Sequence, residues 1–229
     1  MTAKPKSRST TTVPPEKEAD RSPAQKRRPW YIALLIVGVL LLGASIYLAM
    51  SGVLADLERR IFDVVNHAYL QIWVTDSIAK PVSNAVWGMV GLVGILLLVP
   101  KYRLLAWQYA VAAGSSYVVV FALEHLVERA RPSGLEAYDV VLRAMQGGPG
   151  FPSGHVAVLA ALGLTIWPLV SWPWRVFTLL LIGSEAWARV FLGLHAPLDI
   201  VGGIAVAMTV VAIIHLTPAK IRKVFWIAA

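Results

Sequence analysis

The chain has 229 residues, of which 57% are hydrophobic and 15% charged, against about 25% charged in an average soluble domain. That hydrophobicity excludes a disordered chain, and the absence of cysteine excludes a disulfide scaffold. The net charge of +8 is concentrated in a tail and short loops rather than along one face, the pattern of a polytopic membrane protein and not of a nucleic-acid binder.

In chain order, residues 1–29 are rich in Lys, Arg, Thr, Ser and Pro and end in Lys26-Arg27-Arg28-Pro29, the composition of a disordered basic tail. The apolar run Trp30–Met50 follows, and about 20 such residues span a bilayer. It reads as a retained anchor, because the apolar region of a cleaved signal peptide is only about 7–15 residues long. Further apolar stretches lie near 82–99, 104–124, 155–170, 176–194 and 198–216. The expectation is an all-α, six-helix membrane domain over 30–216, with a short basic C-terminal segment over 217–229.

Placing the N-terminus in the cytoplasm puts Lys101 and Arg103, then Arg175, then Lys220, Arg222 and Lys223 on the same side, as the positive-inside rule requires. Both termini are then cytoplasmic, and the loops 51–81 and about 125–154 face outward, which in a bacterial inner membrane is the periplasmic side. Within the first of them Leu54, Leu57, Ile61, Val64 and Val65 recur at helical spacing, predicting an interfacial helix with a structural role. Most of the nine Trp, among them Trp30, Trp73, Trp107, Trp167, Trp172, Trp174 and Trp226, fall where an aromatic belt forms.

Ionisable residues at membrane depth are costly, so each is a functional candidate. Arg131, His155, Glu185, Arg189, His195 and Asp199 all converge on the external face. Ser153 and Gly154 stand at the start of an apolar helix, where Ser153 is expected to cap and free backbone N–H groups form an anion site; a plain cap in a loop is the alternative. Pro197 suits the first turn of the last helix, leaving His195 at its mouth and Asp199 about one turn in, within reach of the imidazole. A carboxylate accepting Nδ1–H leaves Nε2 with its lone pair free. Glu185, four residues before Arg189, is expected to hold that guanidinium. His155, His195 and Asp199 could also form a two-histidine, one-carboxylate metal site, which the neighbouring arginines disfavour. His67, His125 and His215 read as interfacial or packing residues, and Gly88, Gly91, Gly94, Gly202 and Gly203 as points of close helix approach.

Arg131-Pro132, the block Pro152-Ser153-Gly154-His155 and the spacing from Arg189 to His195 to Asp199 together resemble the three-part signature of the phosphatidic acid phosphatase type 2 family, over about residues 120–203. The resemblance implies a six-helix membrane phosphatase with no metal or other cofactor, acting on a lipid phosphate through a phosphohistidine. By the same resemblance His195 is the nucleophile, Asp199 its orienting partner and His155 the acid, while Arg131, Ser153, Gly154 and Arg189 hold the phosphate. The implied substrates are a polyprenyl diphosphate such as undecaprenyl diphosphate, phosphatidic acid or phosphatidylglycerol phosphate; headgroup transfer and a non-catalytic transporter or partner subunit are alternatives on the same fold. Two positions depart from the family pattern. Glu124 stands where the family has Lys, and Ala188 where it has Ser. Glu124 is expected either to pair with Arg131 or Arg129, or to repel a dianion and favour a substrate with an amine near its phosphate.

Overall fold

The computed structural model describes residues 23–68 and 74–218. Among them there are helices and no strands: α1 (Pro23–Ser51), α2 (Ala55–Asn66), α3 (Lys80–Leu97, continuing a π-helical turn at Thr75–Ala79), α4 (Arg103–Val127), α5 (Gly154–Ile166), α6 (Trp172–Phe191) and α7 (Pro197–Leu216). The apolar runs read from the sequence match the five long helices and α5 to within a few residues. One boundary differs. Because α1 begins at Pro23, residues 23–29 of the expected tail are helical; residues 1–22, Trp73, Trp226 and the basic positions Lys220, Arg222 and Lys223 lie outside the described residues.

Four segments, Lys26–Ser51, Thr75–Leu97, Arg103–Gly134 and Pro197–Leu216, are long and apolar enough to cross a membrane. The remaining two of the expected six differ from these for a physical reason. At 13 residues, α5 is about 20 Å long, and it is buried on nearly every side from Val156 to Gly163. It is the central strut, packed between α4 and α7 with α6 beside it, so its surface is matched to protein rather than to lipid. In α6, Arg175, Glu185 and Arg189 interrupt the apolar run.

Small residues set the helix spacing. Along the extensive α1–α7 contact, a Cβ on Gly38 would stand 2.8 Å from Thr209 Oγ1 and 2.9 Å from its backbone nitrogen. A Cβ on Gly203 would stand 2.5 Å from the Ser153 carbonyl oxygen, and one on Gly202 would stand 2.6 Å from the Phe151 ring, so both glycines seat the loop before α5 directly on α7, as the sequence suggests. Gly88, Gly91 and Gly94 do not act this way among the described residues, none of which lies within 4 Å of a Cβ built on any of them.

The loop from 128 to 153 is fastened from below by α2 and α6. Asn66, fully buried, donates from Nδ2 to the carbonyls of Val141 (3.1 Å) and Phe191 (3.1 Å) and accepts the Val141 N–H at 2.8 Å. Arg143 donates to the carbonyls of Asn66 (2.6 Å) and Phe191 (2.7 Å) and stacks over the Phe191 ring at 4.1 Å. The face of α2 is the reverse of a buried apolar stripe: Leu57, Ile61 and Val64 are exposed, whereas Glu58, Phe62 and Asn66 point inward.

Candidate active site

After α6 the chain reverses through Gly193, whose φ of +77° is open to glycine at little cost. A Cβ there would also stand 2.9 Å from Val140 Cγ1. The turn is tied by Leu194 N–H to the Arg189 carbonyl at 3.0 Å. Pro197 then opens α7, and His195 is left in the interior at 1% exposure.

Its Nδ1 lies 2.8 Å from the Gly150 carbonyl oxygen, which can only accept, so Nδ1 carries the proton and Nε2 the lone pair. Nε2 faces Arg131 Nη1 at 3.1 Å and Arg189 Nη2 at 3.4 Å. Asp199, fully buried at the third position of α7, brings Oδ2 to 3.5 Å from Nδ1. The carboxylate is therefore close to the imidazole as the spacing predicts, but the shorter contact to Nδ1 is made by a backbone carbonyl. Oδ2 accepts the Ala196 N–H at 2.8 Å and Oδ1 accepts Arg129 Nη1 at 2.8 Å. With both oxygens engaged, Asp199 is poorly placed to complete a two-histidine, one-carboxylate metal site. Burial pushes the His195 imidazole down to about 4, with Asp199 opposing the fall and Arg189 and Arg131 adding to it. The ring is neutral at pH 7.

The two arginines are held from several elements. Arg131, 7% exposed, donates from Nε to the carbonyls of Gly147 (3.3 Å) and Gly148 (3.2 Å) and from Nη1 to that of Leu194 (2.8 Å). Arg189 donates from Nη1 to Ser83 Oγ on α3 at 2.8 Å and from Nη2 to Gln146 Oε1. The expected Glu185–Arg189 pair is present only as a 4.0 Å approach. Both Glu185 oxygens and Arg189 Nε are buried without a hydrogen-bond partner among the described residues.

Ser153 occupies the N-cap position of α5, but its side chain makes no capping bond. Its backbone N–H donates to the Asp199 carbonyl at 2.8 Å, while Oγ is fully buried and has no partner among the described residues. Capping is thus not the role of that hydroxyl. His155, in the first turn of α5, is half-buried with its ring edge-on to Trp87 at 5.4 Å, and Arg189, His195 and Arg131 all lie within electrostatic range of it. It lines the end of a cavity of about 460 Å³ between α3, α4 and α5, whose other walls include Trp87, Val90, Leu97, Ala113, Tyr117 and Leu162.

Sequence reasoning missed several residues that complete the site. Glu58, Ser83, Gln146 and the Gly150 carbonyl carry no motif signal, and Arg129 entered only as a partner for Glu124. In the structure Glu124 is half-buried and forms no ion pair with Arg129 or Arg131. Arg129 instead spans Glu58 and Asp199. The remaining histidines pack or hydrogen-bond locally, His67 to the Asp139 carbonyl, His125 to the Phe121 carbonyl and His215 stacked on Tyr31.

The model of the PAP2 superfamily matches residues 105–223, which is just over half of the chain and contains all three motif blocks. The chain belongs to the PAP2 superfamily. Among solved structures, this PAP2 chain resembles Aquifex aeolicus LpxE with a TM-score of 0.59 at 20% identity, covering 69% of this chain and 94% of that one. It also resembles the transmembrane PAP2 type phosphatidylglycerolphosphate phosphatase of Bacillus subtilis, with a TM-score of 0.61 at 16% identity over 81% of this chain and 93% of that one. Both likenesses are of fold. No curated protein matches the chain.

Proposed function

We propose that this PAP2 protein is a membrane lipid phosphatase that hydrolyses a lipid phosphomonoester or diphosphate through a phosphohistidine at His195. The observation that carries the reading is the buried, neutral His195 with its Nε2 lone pair aimed between two guanidinium groups. Phosphoryl transfer asks a protein mainly for positioning and for donors around the equatorial oxygens. Arg131, Arg189, the unpartnered Ser153 hydroxyl and the N–H groups of Gly154 and His155 at the mouth of α5 are the donors available.

In the proposed sequence, the lipid phosphate binds as its monoanion and passes its proton to His155; Nε2 of His195 then forms a bond to phosphorus as the bond from phosphorus to the lipid oxygen breaks, and His155 gives that proton to the departing oxygen. Neutral His155 then takes a proton from water, whose oxygen bonds to phosphorus as the nitrogen–phosphorus bond breaks, releasing phosphate. No step requires a metal. Lipid is favoured as the substrate by the apolar cavity that ends at His155, since ligand pockets match their lining to the ligand. The Bacillus subtilis neighbour is named for phosphatidylglycerolphosphate, so that lipid belongs in the first substrate panel with phosphatidic acid and undecaprenyl diphosphate. The charge of the loops favours six spans in a bacterial inner membrane with both termini cytoplasmic, α2 along the outer interface and the site on the periplasmic side.

The test is phosphate release by the purified protein over a panel of lipid monophosphates and diphosphates, with and without chelator, and mass-spectrometric identification of the lipid product. The proposal expects chelator-resistant release of phosphate and a dephosphorylated lipid. A product carrying a new headgroup, or no turnover of any panel member, contradicts it.

A further inference from the structure

The interfacial helix α2 brings a carboxylate into the interior for which the reaction scheme has no use. Glu58 is 4% exposed. Its Oε2 accepts Arg129 Nη2 at 2.5 Å, and its Oε1 accepts both Arg129 Nη1 at 3.1 Å and the Leu198 N–H in the first turn of α7 at 2.9 Å. The same Nη1 of Arg129 reaches Asp199 Oδ1 at 2.8 Å, and Asp199 Oδ2 stands 3.5 Å from His195 Nδ1. A continuous run of alternating charge thus leads from α2 to the imidazole. Buried charges persist only when paired, and loss of one partner strands the next.

We propose that Glu58 and Arg129 are positioning residues that set the charge seen by the His195 ring, so that α2 tunes the reacting imidazole without touching substrate. The inference rests on the phosphatase reading for its catalytic consequence, though its electrostatic part stands on geometry alone. Arg129 neutralises part of the Asp199 charge, and Glu58 neutralises part of Arg129. Replacing Glu58 by Gln leaves Arg129 with more of its charge directed at Asp199, and the ring becomes harder to protonate. Replacing Arg129 by Gln leaves Asp199 uncompensated, and the ring becomes easier to protonate. The other charged or titratable groups around His195 and the run are Arg131 and Tyr138 from the loop, the latter facing Glu58, Arg129 and Asp199, Arg189 with Glu185 on α6, and His155 on α5. They are unchanged in both variants, so shifts of opposite sign isolate the run from α2. A merely structural role predicts no such opposition.

The experiment is histidine-selective NMR titration of the full-length protein in detergent, with kcat and KM measured on the same preparations. E58Q is expected to move the His195 titration to lower pH and R129Q to move it to higher pH. R129K, which keeps the charge, stays near wild type. E58Q, whose ring is the weaker base, is expected to lose kcat by up to about tenfold, the equivalent of one pK unit, R129Q is not expected to share that loss, and KM stays within about twofold in both. Titrations that stay put, or that move in the same direction in both variants, overturn the proposal. If E58Q and R129Q do not fold, E58D carries the test, because its carboxylate keeps the charge but is drawn back by one methylene from Arg129 and the Leu198 N–H: a smaller shift to lower pH supports the proposal, and an unchanged titration and kcat overturn it. A protein that hydrolyses no lipid phosphate yet shows the opposed shifts keeps the relay and removes the phosphatase reading.

Discussion

His195 Nδ1 donates to the carbonyl oxygen of Gly150 at 2.8 Å, across 45 residues of sequence, and this backbone contact, with Asp199 Oδ2 beside it at 3.5 Å, turns Nε2 towards the arginines. The carbonyl can only accept, so Nε2 has no proton to lose before it bonds to phosphorus. Asp199, slightly farther away, contributes charge to the ring and holds the first turn of α7. The division differs from a simple carboxylate–histidine pair, and it makes the loop before α5 part of the proposed reacting unit.

Gly150→Ala tests that contact. The added Cβ would meet the Ala130 carbonyl oxygen, Arg131 Cα and Asp199 Oδ2, all at 3.2 Å, and two of these are backbone atoms that cannot swing aside. The loop is expected to shift and lengthen the bond to Nδ1. A buried hydrogen bond weakened by about 1–3 kcal/mol corresponds to a fall in kcat of roughly 5- to 150-fold. Steady-state kinetics beside a thermal melt checks it: a variant with wild-type kcat shows that Gly150 does not orient the ring.

The pH dependence of stability follows from the burial of His195. Its folded value is pushed down to about 4 from an ordinary 6.5, so between these two pH values the unfolded chain binds a proton that the native protein does not. Stability is therefore lost as pH falls from 6.5 towards 4, by about 3 kcal/mol in total from this residue. His195→Gln lacks that contribution, and its melting temperature is expected to fall less than that of wild type over the same acidification. Parallel melting curves for the two proteins would contradict the burial of a neutral ring.

His155 lies at the end of the apolar cavity in the place proposed for the leaving oxygen. A departing lipid alkoxide needs a proton more than a departing phosphate does. His155→Ala is thus expected to slow phosphomonoester hydrolysis by about 10²-fold or more and diphosphate hydrolysis by clearly less. Equal losses on matched lipid mono- and diphosphates would remove His155 from the general-acid role.

Among the described residues Glu124 forms no ion pair with Arg131 or Arg129, though Arg131 lies within electrostatic range of it; on the proposed phosphatase reading its charge would oppose an incoming phosphate. Glu124→Gln is expected to lower KM for a simple lipid phosphate by roughly three- to tenfold, the effect of about 1 kcal/mol near a protein surface, and to do so most at low salt. A rise in KM confined to an amine-bearing lipid phosphate would show instead that Glu124 binds that amine.

What the sequence could reveal followed from cost. His155, Arg189, His195 and Asp199 stand out because polar groups beside apolar runs are expensive, and Pro197 and Gly193 mark where the chain turns between α6 and α7. Glu58 could not be found this way. On α2 it sits among Asp56, Arg59, Arg60 and Asp63, where charge is ordinary, and its contact with the Leu198 N–H spans 140 positions. The periodicity of Leu57, Ile61 and Val64 located the helix, and these three side chains are exposed; the inward face, which carries Glu58, Phe62 and Asn66, has no apolar periodicity to mark it. Gly150 acts through a carbonyl that every residue has, so no side-chain pattern could announce it. Ser153 was legible as an N-cap position, whereas its free hydroxyl is a property of the packed site.

The most direct measurement is chemical trapping of the covalent intermediate: purified protein mixed with a lipid phosphate labelled on phosphorus, quenched into alkali, and mapped by mass spectrometry. The account predicts alkali-stable, acid-labile label on His195 in the wild type, accumulation of that label in His155→Ala, and neither label nor phosphate release in His195→Ala. Phosphate release that continues in His195→Ala, or label found on another residue, would contradict it.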